Sequence, residues 1–129
     1  SGLIRRMAEA LFPPELVKVV EGGRTENAAL LEEAYRRAGV PVNRVGSLLS
    51  PFFCKSAPRT FADVCSCDRE AFARYFNAML ERGEYVAPSQ FEAMFVSFAH
   101  TSEHIRRTCV AIAESVQEAL RAEGEGSRR

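Results

Sequence analysis

Apolar and polar positions repeat with two different periods along this chain, and each change of period marks a new element. Leu3, Met7, Ala8 and Leu11 fall at helical spacing. Pro13-Pro14 ends that run, because the residue before a proline avoids the α region. Pro14 suits the first turn of a second short helix over 15–20, which Gly22-Gly23 ends or kinks. Over 25–38 the apolar stripe is Ala28, Leu31, Ala34, Tyr35 and Ala38. Glu32/Arg36 and Glu33/Arg37 form i,i+4 pairs on the other side, and Gly39 with Pro41 stops the helix.

From Val42 the period shortens. Residues 42–54 read as one long strand or two short ones, with Pro51 marking an edge or a bulge because it cannot donate to a ladder. The polar, irregular stretch 55–67 predicts a loop. Asp68 is an N-cap candidate for a helix over 69–82, with Phe72, Phe76, Met79 and Leu80 inward and Gly83 closing it. Residues 84–87 and 91–99 are β candidates, with 84–87 and 93–99 expected to pair as a hairpin. Thr101 caps a last helix, with Glu103 in its first turn and Ile105, Cys109, Ile112, Val116 and Leu120 inward. The predicted fold class is α+β: a small antiparallel or mixed sheet of about three strands with helices packed on one face.

At 129 residues the chain is one domain in size, and 47% hydrophobic with 26% charged residues is ordinary globular composition. The expected division is a single domain over 1–121 and a flexible tail over 122–129. Lys+Arg and Asp+Glu both number 17, a balance that argues against nucleic-acid and polybasic membrane partners. No apolar run approaches the roughly 20 residues of a membrane span, and no apolar core follows Arg5-Arg6 as a secretory signal requires. The expected location is cytoplasmic, with Cys54, Cys65, Cys67 and Cys109 as reduced thiols.

Candidate chemistry is sparse. Cys65-Ser66-Cys67 with His100 and His104 lacks the paired spacings of a zinc site, so no metal site is expected and the cysteines read as small hydrophobes. Cys54 with a histidine has no flanking nucleophile motif, and reads as an inert cysteine at a strand end. Gly22-Gly23-Arg24 lacks the spacing and the preceding strand of a phosphate loop. Glu92 is the exception, a carboxylate among Phe91, Ala93, Met94 and Phe95. Such a group is costly unless it meets a cation at a site or points to solvent from a strand edge.

Gly83-Glu84-Tyr85-Val86-Ala87-Pro88-Ser89-Gln90-Phe91-Glu92-Ala93-Met94-Phe95-Val96-Ser97-Phe98-Ala99-His100-Thr101 closely resembles a stretch near the C-terminus of the glutamate-1-semialdehyde 2,1-aminomutase family, class III aminotransferases that use pyridoxal phosphate. Val42-Asn43-Arg44-Val45-Gly46-Ser47-Leu48, Phe52-Phe53, Asp63 and Asp68-Arg69-Glu70-Ala71-Phe72 through Phe76 are similar to further family segments. The resemblance spans about residues 28 to 121, with 1–27 a weakly matched helical lead-in. Three positions depart from it. Met94 stands for a usual glycine, Pro51 for an apolar residue, and Gly22-Gly23 breaks a continuous helix.

The resemblance implies the small C-terminal domain of a fold-type I enzyme and, for the whole enzyme, conversion of glutamate 1-semialdehyde to 5-aminolevulinate for tetrapyrrole synthesis. It implies that Glu92 and Ser89 bind the amino substrate. The lysine-bearing large domain is missing from the sequence, so no catalytic and no cofactor-binding residue is expected here. Pyridoxal phosphate belongs to the parent enzyme, with none on this chain alone. The implied partners are the large domain, a second subunit and a small amino-acid substrate. Self-association of the isolated domain is also expected. The alternative is a non-catalytic interaction or amino-acid-binding module derived from the same family.

Overall fold

A computed structural model describes residues 2–87, 93–95 and 101–126, with side chains described over 2–87, 93–94 and 101–121. The elements are α1 (Gly2–Leu11), a 3-10 turn (Pro14–Leu16), α2 (Arg24–Arg37), β1 (Val42–Val45), β2 (Leu48–Pro51), α3 (Phe61–Cys65), α4 (Arg69–Glu81), β3 (Met94–Phe95) and α5 (Ser102–Gly126). The class is α+β, with antiparallel strands in the order β1-β2-β3.

The long helix α5 is the spine, packed against α1, α2 and α4. Its inward positions are those of the sequence stripe: Ile105, Cys109, Ile112 and Val116 are buried, and Leu120 packs at the edge of the core. The α2 stripe is buried at all five positions, and both of its i,i+4 ion pairs form, Arg36–Glu32 at 3.5 Å and Arg37–Glu33 at 2.6 Å. Two helices end in the same way. Gly39, at φ 101°, lets Val40 N–H reach Tyr35 O (2.9 Å) and its own N–H reach Arg36 O (3.1 Å). Gly83, at φ 78°, does the same for α4, with Glu84 N–H on Met79 O and Gly83 N–H on Leu80 O. These paired bonds satisfy carbonyls that a helix end otherwise leaves open.

The α4 face differs from its expected pattern. Phe72 and Met79 are buried and Phe76 is partly so, but Leu80 is 43% exposed. Tyr75 is fully buried as well, and its ring meets Phe53, Phe72 and Tyr35 at centroid distances of 5.4, 5.5 and 6.0 Å. Asp68 caps α4 as expected, accepting from Ala71 N–H at 2.9 Å.

Residues 42–51 form two short strands joined at Gly46-Ser47, with Val42 opposite Pro51 and Arg44 opposite Leu49. Partners across the ladder share a face. Val42 and Leu49 therefore turn together toward α2 and the core, while Asn43 and Val45 are exposed on the other side. Pro51 is the last residue of β2, and among the described residues β3 pairs with Leu48 and Leu49.

The expected hairpin between 84–87 and 93–99 does not form at its described residues. Residues 84–87 are not a strand, and β3 pairs with β2 instead. The backbone of Glu84 is committed to capping α4, and Val86 is buried in the core. The expected helix over 15–20 shrinks to the 3-10 turn. Beyond it, buried Asn27 clasps Val20, accepting from its N–H at 2.9 Å and donating to its carbonyl at 2.8 Å.

Candidate functional site

Glu92 and Ser89, the expected substrate contacts, lie outside the described residues, as does His100. The described flank of that segment is β3. Its two residues pair with β2. A side-chain anchor adds to it. Met94 lies opposite Leu49, and its Sδ is 3.5 Å from Tyr35 Oη. Behind it Tyr35 Oη and Tyr75 Oη share a buried hydrogen bond of 2.5 Å. Met94 stands where the resembled family usually has glycine, and its thioether packs against the tyrosine pair.

Burial, more than any neighbour, pushes both phenols well above their ordinary range. They stay neutral at physiological pH and serve as an anchor, not as acid or base. Glu84, which receives a hydrogen bond from Thr108 Oγ1 at 3.1 Å, adds to the upward shift on Tyr35. Cys109 is likewise buried, its thiol pushed up to about 12.

The stretch 55–67 is not a featureless loop. Thr60 and Asp63 form a capping box that starts α3, with Asp63 N–H on Thr60 Oγ1 at 3.1 Å and Thr60 N–H on Asp63 Oδ2 at 3.2 Å. Arg59 N–H also donates to Asp63 Oδ2 at 3.0 Å, and these backbone donors hold the carboxyl below its usual value. The T-F-A-D spacing from Thr60 was the available signal. Nor are all four cysteines reduced thiols or independent of one another. Cys54 and Cys67 form a disulfide with Cα atoms 4.7 Å apart, while Cys65 is an exposed thiol. The loop brings the two together because Asp68 N–H donates to Phe53 O at 2.9 Å, joining the end of β2 to the start of α4. Beside the disulfide lies an open cleft of about 720 Å³, lined by Asn43, Cys54, Lys55, Pro58, Arg59 and Ser66 among others.

A lysine that carries pyridoxal phosphate needs an enclosed pocket that desolvates and orients it. Lys18 and Lys55 are both exposed, Lys55 on the rim of that open cleft, so the residues present do not fit the cofactor. Among the described residues no three His, Cys, Asp or Glu side chains are grouped to hold a metal ion, and no helix is long and apolar enough to cross a membrane.

No protein-family model matches the chain. Curated relatives do. The chain is 44% identical over 109 residues to glutamate-1-semialdehyde 2,1-aminomutase of Desulforudis audaxviator, covering 83% of this chain and 25% of that protein. It is 49% identical over 89 residues to the Heliobacterium modesticaldum enzyme of the same name, covering 67% of this chain and 20% of that protein. The Thermus thermophilus enzyme is 42% identical over 97 residues, 74% of this chain and 22% of its own length. The chain thus spans about a quarter or less of the curated relatives it matches. Over most of its own length, then, this sequence is a segment of the glutamate-1-semialdehyde 2,1-aminomutase family.

Proposed function

We propose that the chain is the C-terminal small domain of a pyridoxal-phosphate-dependent aminomutase that converts glutamate 1-semialdehyde to 5-aminolevulinate, and that it has no turnover alone. The single observation that carries this is the 44% identity over 109 residues to an enzyme of that name. The motif around Glu92 adds to it. In this reading Glu92 and Ser89 hold the substrate amino group. A carboxylate paired with an ammonium makes a charge-assisted hydrogen bond worth about 1.5–3 kcal/mol. The small domain supplies that contact, and the lysine-bearing large domain supplies the cofactor, which acts as an electron sink.

Two features support inactivity in isolation and a missing partner surface. Both lysines are exposed. Leu80 and Tyr85, 43% and 77% exposed, stand beside Phe76 at the end of α4, an apolar face suited to cover by a large domain or a second subunit. The test is turnover of glutamate 1-semialdehyde with added pyridoxal phosphate. The chain alone gives none, and a polypeptide joining it to the lysine-bearing domain gives 5-aminolevulinate. A joined polypeptide that folds, binds the cofactor and still makes no product contradicts this reading and favours a non-catalytic module.

A further inference from the structure

We propose that Cys54 and Cys67 form a reversible dithiol–disulfide site whose state sets how tightly the 55–66 segment closes over the cleft it lines. This stands apart from the aminomutase reading and rests on the cysteine pair and its surroundings.

Three features separate this bond from a purely structural staple. First, its anchor points are already joined without it. Asp68 N–H bonds Phe53 O at 2.9 Å, and the Asp68 carboxylate caps α4. Breaking the bond therefore leaves the frame standing, and its effect falls on the intervening loop. Second, the two sulfurs differ in access. Cys67 is buried at 6% exposure, whereas Cys54 is half-buried and lines the open cleft, which gives a small thiol a route to one sulfur. Third, the same cleft carries two cations, Lys55 and Arg59, against one carboxylate, Asp63. Cations near a thiol favour the thiolate, the reactive form, and attract anionic thiols and disulfides. The loop's ties beyond itself include Asn43 Nδ2 donating to Pro58 O at 3.0 Å, and Ser56, Ala57 and Arg59 are exposed.

The co-reactant is a low-molecular-weight disulfide of the glutathione class. The Cys54 thiolate attacks one of its sulfurs, forming a mixed disulfide and expelling one small thiolate. The Cys67 thiolate then attacks the Cys54 sulfur, forming the Cys54–Cys67 bond and releasing the second. Two cysteine thiols are oxidised, two electrons and two protons leave the protein, and one small disulfide becomes two thiols. The reverse sequence opens the loop. Cys65 is exposed at the end of α3, two residues from Cys67, and is not needed for either step.

The test equilibrates the chain in glutathione buffers of graded redox ratio, blocks free thiols and weighs the intact protein. Trypsin, which cuts after Lys55 and Arg59, probes the loop in parallel. The expected result is one reversible two-electron transition that adds two blocked thiols on reduction. Buried Cys109 stays unblocked in both states, and the Cys65→Ser variant keeps the transition. Cutting at Lys55 and Arg59 becomes roughly tenfold faster in the reduced state, as for a segment that opens locally. Cys54→Ser behaves as reduced in every buffer; if it fails to fold, the wild-type titration still decides. The proposal is overturned by thiols that never pair, by a bond that persists across the whole series, by loss of the transition in Cys65→Ser, or by equal cutting rates in both states.

Discussion

The helical half of the molecule and the 52–68 connection are stabilised in different ways. Around α5 the side chains interlock: Tyr35, Tyr75, Ile112, Val116 and Cys109 are all fully buried, and α2, α4 and α5 share them. The 52–68 connection leaves the core after buried Phe52 and Phe53 and is tied at defined points: the Asp68–Phe53 hydrogen bond, the Thr60–Asp63 box and the Cys54–Cys67 bridge. Loss of packing should be felt globally in the first region. Loss of one tie should loosen the second and leave the rest folded.

The largest effect should come from Ile112→Ala, which opens a cavity at the centre of α5 and should cost about 2–5 kcal/mol in urea unfolding. Reducing Cys54–Cys67, which closes a separation of 13 residues, should cost about 3 kcal/mol if the whole loop gains freedom on unfolding. A loss well below that places the bond's effect within the native loop and sharpens the contrast between the regions.

Alkaline pH separates the two regions further. The folded pKa values of Tyr35, Tyr75 and Cys109 are raised. Their contribution is therefore complete below the unfolded values, about 9 for the thiol and about 10 for the phenols, and is lost as pH rises through the folded ones. Urea midpoints should fall above about pH 9. The triple variant Tyr35→Phe, Tyr75→Phe, Cys109→Ala should flatten that limb, and an unchanged limb in that variant would assign the loss elsewhere. Removing the α4 cap with Asp68→Ala should cost about 1 kcal/mol. Arg37→Ala, at an exposed pair, should cost no more than about 0.5 kcal/mol by the same measurement.

The contrast also governs what could be read from the chain. The stripes of α2 and α5 were legible because helical burial is a local, periodic property of the sequence. So were the caps at Asp68 and Thr101, the latter accepting from His104 N–H at 3.2 Å. Tyr75 was missed because its place depends on a hydroxyl partner 40 residues away, and Leu80 was misplaced one position around the same helix. The partner of β3 was missed because strand pairing is non-local. Glu84–Ala87 looks extended, yet its backbone serves the end of α4. The Cys54–Cys67 pairing had no signal in spacing, because cysteine connectivity is set by the fold. Glu92 and Ser89 drew little from periodicity; the family motif singled them out.

The most direct measurement concerns Glu92. Glu92→Gln, made in a polypeptide that carries both domains, keeps the shape of the side chain and removes its charge. The account predicts a loss of roughly 10- to 100-fold in kcat/KM for glutamate 1-semialdehyde, with the fold and the affinity for pyridoxal phosphate unchanged. Wild-type kinetics in a folded, cofactor-loaded Glu92→Gln enzyme would contradict it.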